Sequence, residues 1–281
     1  MSTFVIPCKY SKEVPIIFNC LKSIRKYHPN AEIFIIDSDS DDKSYFDRAR
    51  EEFGAEVCDV KNQNYTSGAI WYTFNNIERE FYYFFHDSIE LLDNLSFLEQ
   101  NTVNSVMYHK HWQWPRSPID GNRNYQWPEE QIKQKTNISF KQSEFPLLQG
   151  AMICCSRSVL QQLKDLGFNN ILPSNKYEEE CTERLWGLAL DQLGYGNQMI
   201  ENSILGLCRT GEGPGTEFLR KYGRGESKVV YDGIEYSRAS DGRYNLGNTE
   251  KCFLPGINFI VKKNKYRDGD KVIKYWCSSK R

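Results

Sequence analysis

Three short apolar runs in the first 85 residues constrain the fold of this 281-residue chain more than any other feature. "TFVIPC" (3–8), "IFII" (33–36) and "FYYFF" (81–85) are apolar without alternation. A strand needs such a run when both of its faces are covered, and that is the situation of strands in parallel sheets packed between helices. "AEVCDVKN" adds a third, shorter strand between the last two. Segments of helical spacing separate these runs. Val14, Ile17, Leu21 and Ile24 recur near the 3.6-residue period, with Ser11 as a candidate cap, Pro15 in the first turn and Pro29 beyond the end. "NYTSGAIWYTFNNIERE" predicts a second helix capped by Thr66 or Ser67, with Ile70, Phe74 and Ile77 inward. The order strand, helix, strand, strand, helix, strand predicts an α/β fold on a mostly parallel sheet.

In such sheets ligands bind beyond the carboxyl ends of the strands. Three of those ends read Cys8-Lys9-Tyr10, Asp37-Ser38-Asp39 and His86-Asp87-Ser88. Polar groups thus collect on the face where this architecture places a site, although Asp is also a common residue of turns and caps.

Further along, "YHKHWQWPRSPIDGNRNYQWPEEQ" is too long and irregular for an ordinary connector and predicts a functional loop over the cleft. "FPLLQGAMICC" reads as a strand. Ser156 or Ser158 caps a helix running to Leu166 and stopped by Gly167. "NKYEEECTERLWGLALDQLGYG" predicts a long helix with an acidic start, ending at Gly194. After about Arg209 the composition changes. "GEGPG" is linker-like, and Asp-Gly pairs at 232, 241 and 268 separate Val/Ile/Tyr runs, which predicts a small antiparallel set of strands. The expected division is 1–209 as the α/β domain and 210–281 as a β-rich extension.

Composition narrows the function. The net charge is −1 with signs interspersed, unlike a basic nucleic-acid-binding surface. Nine cysteines, scattered and without a C-x-x-C, argue against a disulfide scaffold or zinc knuckle and for a reducing compartment. The first residues carry no basic-then-apolar signal pattern, and no apolar run reaches the roughly 18 residues of a membrane span. A soluble cytoplasmic protein is expected. Aromatics at 14% suit a cleft for flat polar ligands such as bases and sugars.

Taken in order, "FVIPCKY", "IIDSDSDD", the Ser67-Gly68 helix start, "FFHDS" and "QGAMICCSRSVL…EEECTERLWGLALDQLG" resemble a GT-A-fold, nucleotide-sugar-dependent glycosyltransferase of the family-2-like kind, over about residues 3–208. The resemblance implies a nucleotide pocket lined by Pro7, Lys9, Asp37 and Asp39, with Ser67 and Gly68 beside it. The family's Asp-x-Asp metal motif falls on His86-Asp87-Ser88. Asp87 is therefore the expected ligand of Mn²⁺ or Mg²⁺, assisted by His86 or Ser88. The later histidine that often completes that shell has no counterpart, since no His follows His111. Arg209 or Lys221 could instead clamp the diphosphate. The family's catalytic base falls on Glu183, with Glu180 in reserve. Trp112, Trp114 and Trp127 would stack on the acceptor sugar. The implied reaction moves a sugar from a UDP- or GDP-sugar to a hydroxyl of a glycan acceptor, with inversion. It requires residues 37, 87 and 183 to meet around one hollow. A sugar nucleotidyltransferase is the alternative enzyme, disfavoured because "PCKYSKEVP" has no glycine. A non-catalytic carbohydrate-binding protein is the alternative of another class.

Overall fold

The computed structural model describes residues 2–106, 108–112, 129–141, 145–201, 203–204, 228–231, 234–238, 244–246, 249–252, 254, 261–264 and 270–276. Trp114, Trp127, Arg209, Lys221 and the expected junction at 209/210 lie outside them.

The chain opens with β1 (Thr3–Cys8), α1 (Ile17–Tyr27), β2 (Glu32–Asp37), α2 (Tyr45–Phe53), β3 (Glu56–Cys58), α3 (Tyr65–Asn76) and β4 (Phe81–Phe84). Next come β5 (Ile89–Leu91), β6 (Val103–Ser105), β7 (Tyr108–Trp112), α4 (Glu129–Lys135), β8 (Phe145–Leu148) and β9 (Ile153–Ser156). Three helices follow: α5 (Arg157–Asp165), α6 (Lys176–Gln192) and α7 (Gly196–Glu201). The last strands are β10 (Lys228–Tyr231), β11 (Ile234–Arg238), β12 (Tyr244–Leu246), β13 (Thr249–Cys252), β14 (Val261–Asn264) and β15 (Val272–Trp276).

The central sheet has the order β3-β2-β1-β4-β9-β6. The first four strands are parallel, and β9 runs antiparallel to β4 and β6. Both faces are covered, which explains the unbroken apolar runs. Tyr82 and Phe84 of β4 face a core that includes Ile70, Trp71 and Phe74 of α3 and Leu185, Trp186 and Leu190 of α6. Tyr83 and the following Phe85 face the opposite core, with Ile17, Leu21 and Ile24 of α1. The five consecutive aromatics are therefore divided between two hydrophobic layers, and Phe4 stacks on Tyr83 with ring centroids 4.5 Å apart. The mixed α/β fold with a mostly parallel sheet is the one expected, and the late strands are antiparallel, as β10-β11-β12 and as β13-β14-β15-β5.

Several local readings are corrected. Helix α2 stands between β2 and β3, where no helix was predicted. Its sequence YFDRAREEF buries only Tyr45 and Ala49, too few positions to make a periodic signal. Helix α1 starts at Ile17 with Ile16 at the cap position, so Ser11 lies outside it. Helix α3 starts at Tyr65 with Asn64 at its cap position, so Thr66 and Ser67 belong to the first turn and are buried. "FPLLQGAMICC" is two strands, because Gln149–Ala151 form a tight turn with Gly150 at φ 66° and Ala151 at φ 51°. Helix α6 matches its expectation and carries a cap that was not singled out. The Asn175 side chain accepts from Tyr177 N at 3.0 Å and Glu178 N at 3.1 Å. Asn175→Ala removes an acceptor for those free helix-end donors and should cost about 1 kcal/mol. A melting curve would then move down by about 2–4 °C.

Candidate active site

The site is built where β4 stops. Phe85 still joins the sheet through its N–H to Val5 O at 3.1 Å, and the chain then turns, with Ile89 N donating to His86 O at 3.1 Å. This turn delivers His86, Asp87 and Ser88 to the carboxyl edge of the sheet. Asp87 and Ser88 are buried, at 3% and 4% exposure.

His86 is held from three sides. Nε2 lies 2.8 Å from Gly150 O and 3.1 Å from Thr66 Oγ1, and Nδ1 lies 3.1 Å from Lys274 Nζ. A carbonyl only accepts and an ammonium only donates, so the ring carries its proton on Nε2 and offers the Nδ1 lone pair to Lys274. Gly150 makes this possible in two ways. It adopts positive φ, and a Cβ there would come within 2.8 Å of His86 Cε1. Lys274 reaches the site from β15, which pairs antiparallel with β5 in the register Lys274↔Ile89, and its Nζ also donates to Ser88 Oγ. Asp87 and Lys274 act with opposite signs on the buried Cys20 thiol. Burial first and the Asp87 charge second raise that thiol's pKa, and the lysine opposes them.

Across Thr66 stands the acidic end of α6. Glu179 is 4% exposed, and its Oε2 has no hydrogen-bond partner among the described residues. Burial pushes its carboxyl up to about 8, and the charge of Glu183, one turn on, adds to the rise. Lys176 and bonds from the Thr66 N–H and hydroxyl oppose it. The Thr66 N–H is one of the free donors in the first turn of α3, so Glu179 serves as that helix's cap from another element. Glu183 is also buried, at 8% exposure, and lies in the third turn of α6 rather than at its start. The first-turn dipole position belongs to Glu178 and Glu179 instead. Glu180 is half-buried, and its carbonyl accepts from Arg184.

The nucleotide candidates have more varied settings. Lys9 is exposed and Pro7 half-buried at the end of β1. Asp37 is fully buried and saturated. Oδ1 accepts from Tyr45 OH at 2.8 Å, and Oδ2 accepts from Ser40 N at 3.0 Å and from Lys43 Nζ. Burial alone would raise its pKa, but these bonds hold it below the usual carboxylate range. Its carboxylate therefore ties the loop after β2 to α2. Asp39, at φ 57°, stands free of that knot and accepts from Gln63 Nε2 at 3.3 Å. Ser67 Oγ accepts from the Trp186 indole at 3.1 Å. A side chain on Gly68 would strike Asn64 Cβ at 2.7 Å. Ser67 and Gly68 thus seat α3 against α6 and its own entry loop. Trp112 ends β7, which pairs with β8 at Phe145.

Two sets of hydrogen bonds, connected only through the backbone of residues 64–66, lie along the carboxyl edge. Ser38 meets Asn62 at 3.4 Å, Asn62 accepts from Asn64 N, Thr66 meets His86, and His86 meets Lys274. Thr66, Gly150, Glu179 and Lys274 were not expected there. Glu179 had a visible signal: it lies seven residues before Trp186 and so shares the inward face of α6.

The side chains around Asp87 do not fit a resident divalent ion. Both nitrogens of His86 and the hydroxyl of Ser88 already have partners. Among the described residues, no group of three His, Cys, Asp or Glu side chains could hold a metal.

No protein-family model matches the chain, and no curated protein does. Solved structures do. Staphylococcus aureus TarS 1-349 is 16% identical, with 66% of this chain covering 56% of that one and a TM-score of 0.37. A CMP:2-keto-3-deoxy-manno-octonic acid synthetase complexed with CTP is 16% identical over 69% of this chain and 87% of that chain, at a TM-score of 0.40. GalNAc-T7 with UDP, GalNAc and Mn²⁺ is 13% identical over 66% of this chain and 40% of that chain, at 0.42. The chain thus spans about half the length of TarS 1-349. The fold assignment stands on the sheet itself. Among the described residues, no helix is long and apolar enough to cross a membrane.

Proposed function

We propose that this protein transfers a sugar from a nucleoside diphosphate sugar to a hydroxyl of a glycan acceptor, with inversion at the sugar carbon. The observation that carries the reading is the joining of two acidic elements, the His86–Ser88 turn and the Glu179/Glu183 face of α6, through Thr66 on one edge of a parallel sheet. That edge is where such sheets bind ligands. Glu183 accepts the proton of the attacking hydroxyl. The acceptor oxygen then bonds to the anomeric carbon, and the carbon–oxygen bond to the diphosphate breaks with its electron pair going to the phosphate. Lys9 and Asp39, the two nucleotide candidates outside internal knots, face the base and ribose. Asp37 acts indirectly by fixing the loop that carries Asp39. Pro7, Ser67 and Gly68 shape the floor. The stacking role of Trp112, Trp114 and Trp127 and the diphosphate role of Arg209 rest on the sequence resemblance alone. Mn²⁺ or Mg²⁺ would find in Asp87 a single carboxylate. Residues 1–209 form the transferase domain and 210–281 its β-rich extension.

The test is thermal stabilisation by nucleotides. At a concentration 100 times Kd, a ligand that binds only the folded chain adds about 2.7 kcal/mol. UDP or GDP should therefore raise the melting temperature by several degrees, and the matching sugar nucleotide should be slowly hydrolysed. If neither nucleotide moves the transition at millimolar concentration, the donor-site assignment fails.

A further inference from the structure

Among the described residues Lys274 is the only buried lysine, at 6% exposure. An ammonium is rarely taken out of water unless its surroundings supply charge and acceptors. Here β15 carries it to the side chains on either side of Asp87: it donates to His86 Nδ1 at 3.1 Å and to Ser88 Oγ. Its charge and that of Asp87 are both felt at the Cys20 thiol. These acceptors are oxygen and nitrogen lone pairs at the end of a strand, the donor types a small divalent cation would also use. The His86 tautomer is set accordingly, since Gly150 O and Thr66 Oγ1 take the Nε2 proton and leave Nδ1 facing the lysine.

We propose that the Lys274 ammonium occupies the cation seat formed by His86, Asp87 and Ser88, and supplies the fixed positive charge for the donor's diphosphate in place of a divalent metal. The diphosphate half of this statement rests on the glycosyl-transfer reading; the cation-seat half does not. A divalent ion brought to the same place would meet a positive charge within hydrogen-bonding distance of its would-be ligands. An ammonium fixed by β15 is already in position and needs no ion from solution.

Two measurements on the full chain test it. Electron paramagnetic resonance reads free Mn²⁺ over wild type and Lys274→Met, which keeps the aliphatic stem but not the charge. Calorimetry measures UDP and GDP affinity in EDTA and in Mn²⁺. Wild type should leave Mn²⁺ free, and its nucleotide affinity should be the same in both buffers. Lys274→Met should lose about tenfold in nucleotide affinity in EDTA, take up about one Mn²⁺ per chain, and regain part of the affinity with it. One tightly bound Mn²⁺ per wild-type chain, or a tenfold loss of wild-type affinity in EDTA, overturns the proposal. So does a folded Lys274→Met that still leaves Mn²⁺ free. If Lys274→Met does not fold, the wild-type arms decide alone. If neither nucleotide binds in any buffer, the transferase reading fails, and the Mn²⁺ titration still decides who occupies the seat.

Discussion

Glu183→Gln should lower sugar transfer by about 10²–10⁴-fold, the usual contribution of a positioned general base. Nucleotide affinity should stay at the wild-type level, because the lost group acts on the acceptor hydroxyl and not on the donor. The amide keeps the size and much of the hydrogen bonding of the acid, so the substitution tests the proton and little else. Glu183 lies on the inward face of α6 with Glu179 and Trp186, and Glu180 does not. Glu180→Gln should therefore leave turnover within a few-fold of wild type. Single-turnover assays with a sugar nucleotide and a glycan acceptor separate the two. If the two substitutions have equal and small effects, Glu183 is not the base. Asp87→Asn separates enzyme from binder. A transferase loses turnover when the carboxylate between His86 and Ser88 goes, whereas a carbohydrate-binding protein keeps its glycan affinity.

The sequence made some of this legible, and the reasons are local. The aromatic run at 81–85 could be read as a doubly covered strand because both faces of a strand are encoded in one short stretch. Helix α2 could not, since two buried residues in nine leave no period to detect. Asp37 shows the same limit in chemistry. Its position at a strand end is plain, but its saturation depends on Lys43 and Tyr45, and that geometry exists only once α2 has formed. Lys274 was out of reach for a different reason. It contacts His86 across 188 residues of chain. Alternation along β15 puts Lys274 on the same side as Val272, but only strand pairing reveals that this side faces the main core. The expectation that residues 37, 87 and 183 share one hollow is modified accordingly. Asp37 closes β2 and Asp87 follows β4 on one edge of the sheet, with the carboxylate of 37 turned into the protein.

Glu179 gives the clearest pH signature. Its carboxyl titrates near 8 in the folded chain, against an ordinary value of 4.5. Between those values the folded state holds a proton that the unfolded state has released, so stability falls as pH rises from about 4.5 to about 8 and is level beyond. The loss across the window is on the order of a few kcal/mol, because each tenfold difference in proton affinity between the two states is worth about 1.4 kcal/mol. Glu179→Gln is neutral throughout and can still accept from the Thr66 N–H, so it should remove this slope. Urea unfolding at pH 5 and pH 8.5 should show wild type losing stability relative to the variant on going to the higher pH. Shifted groups other than Glu183, whose charge acts directly on Glu179, cancel in the comparison. Glu32 and Asp37 are held below their ordinary values, so their contribution is lost only on acidification below the window, and it is common to both chains. His28, lowered by burial, acts in the opposite direction below 6.5 and also cancels. Parallel stability curves for the two proteins would mean that Glu179 is ionised when folded. Oε2, without a partner among the described residues, would then need a counter-charge, and α6 would present two negative carboxylates rather than one.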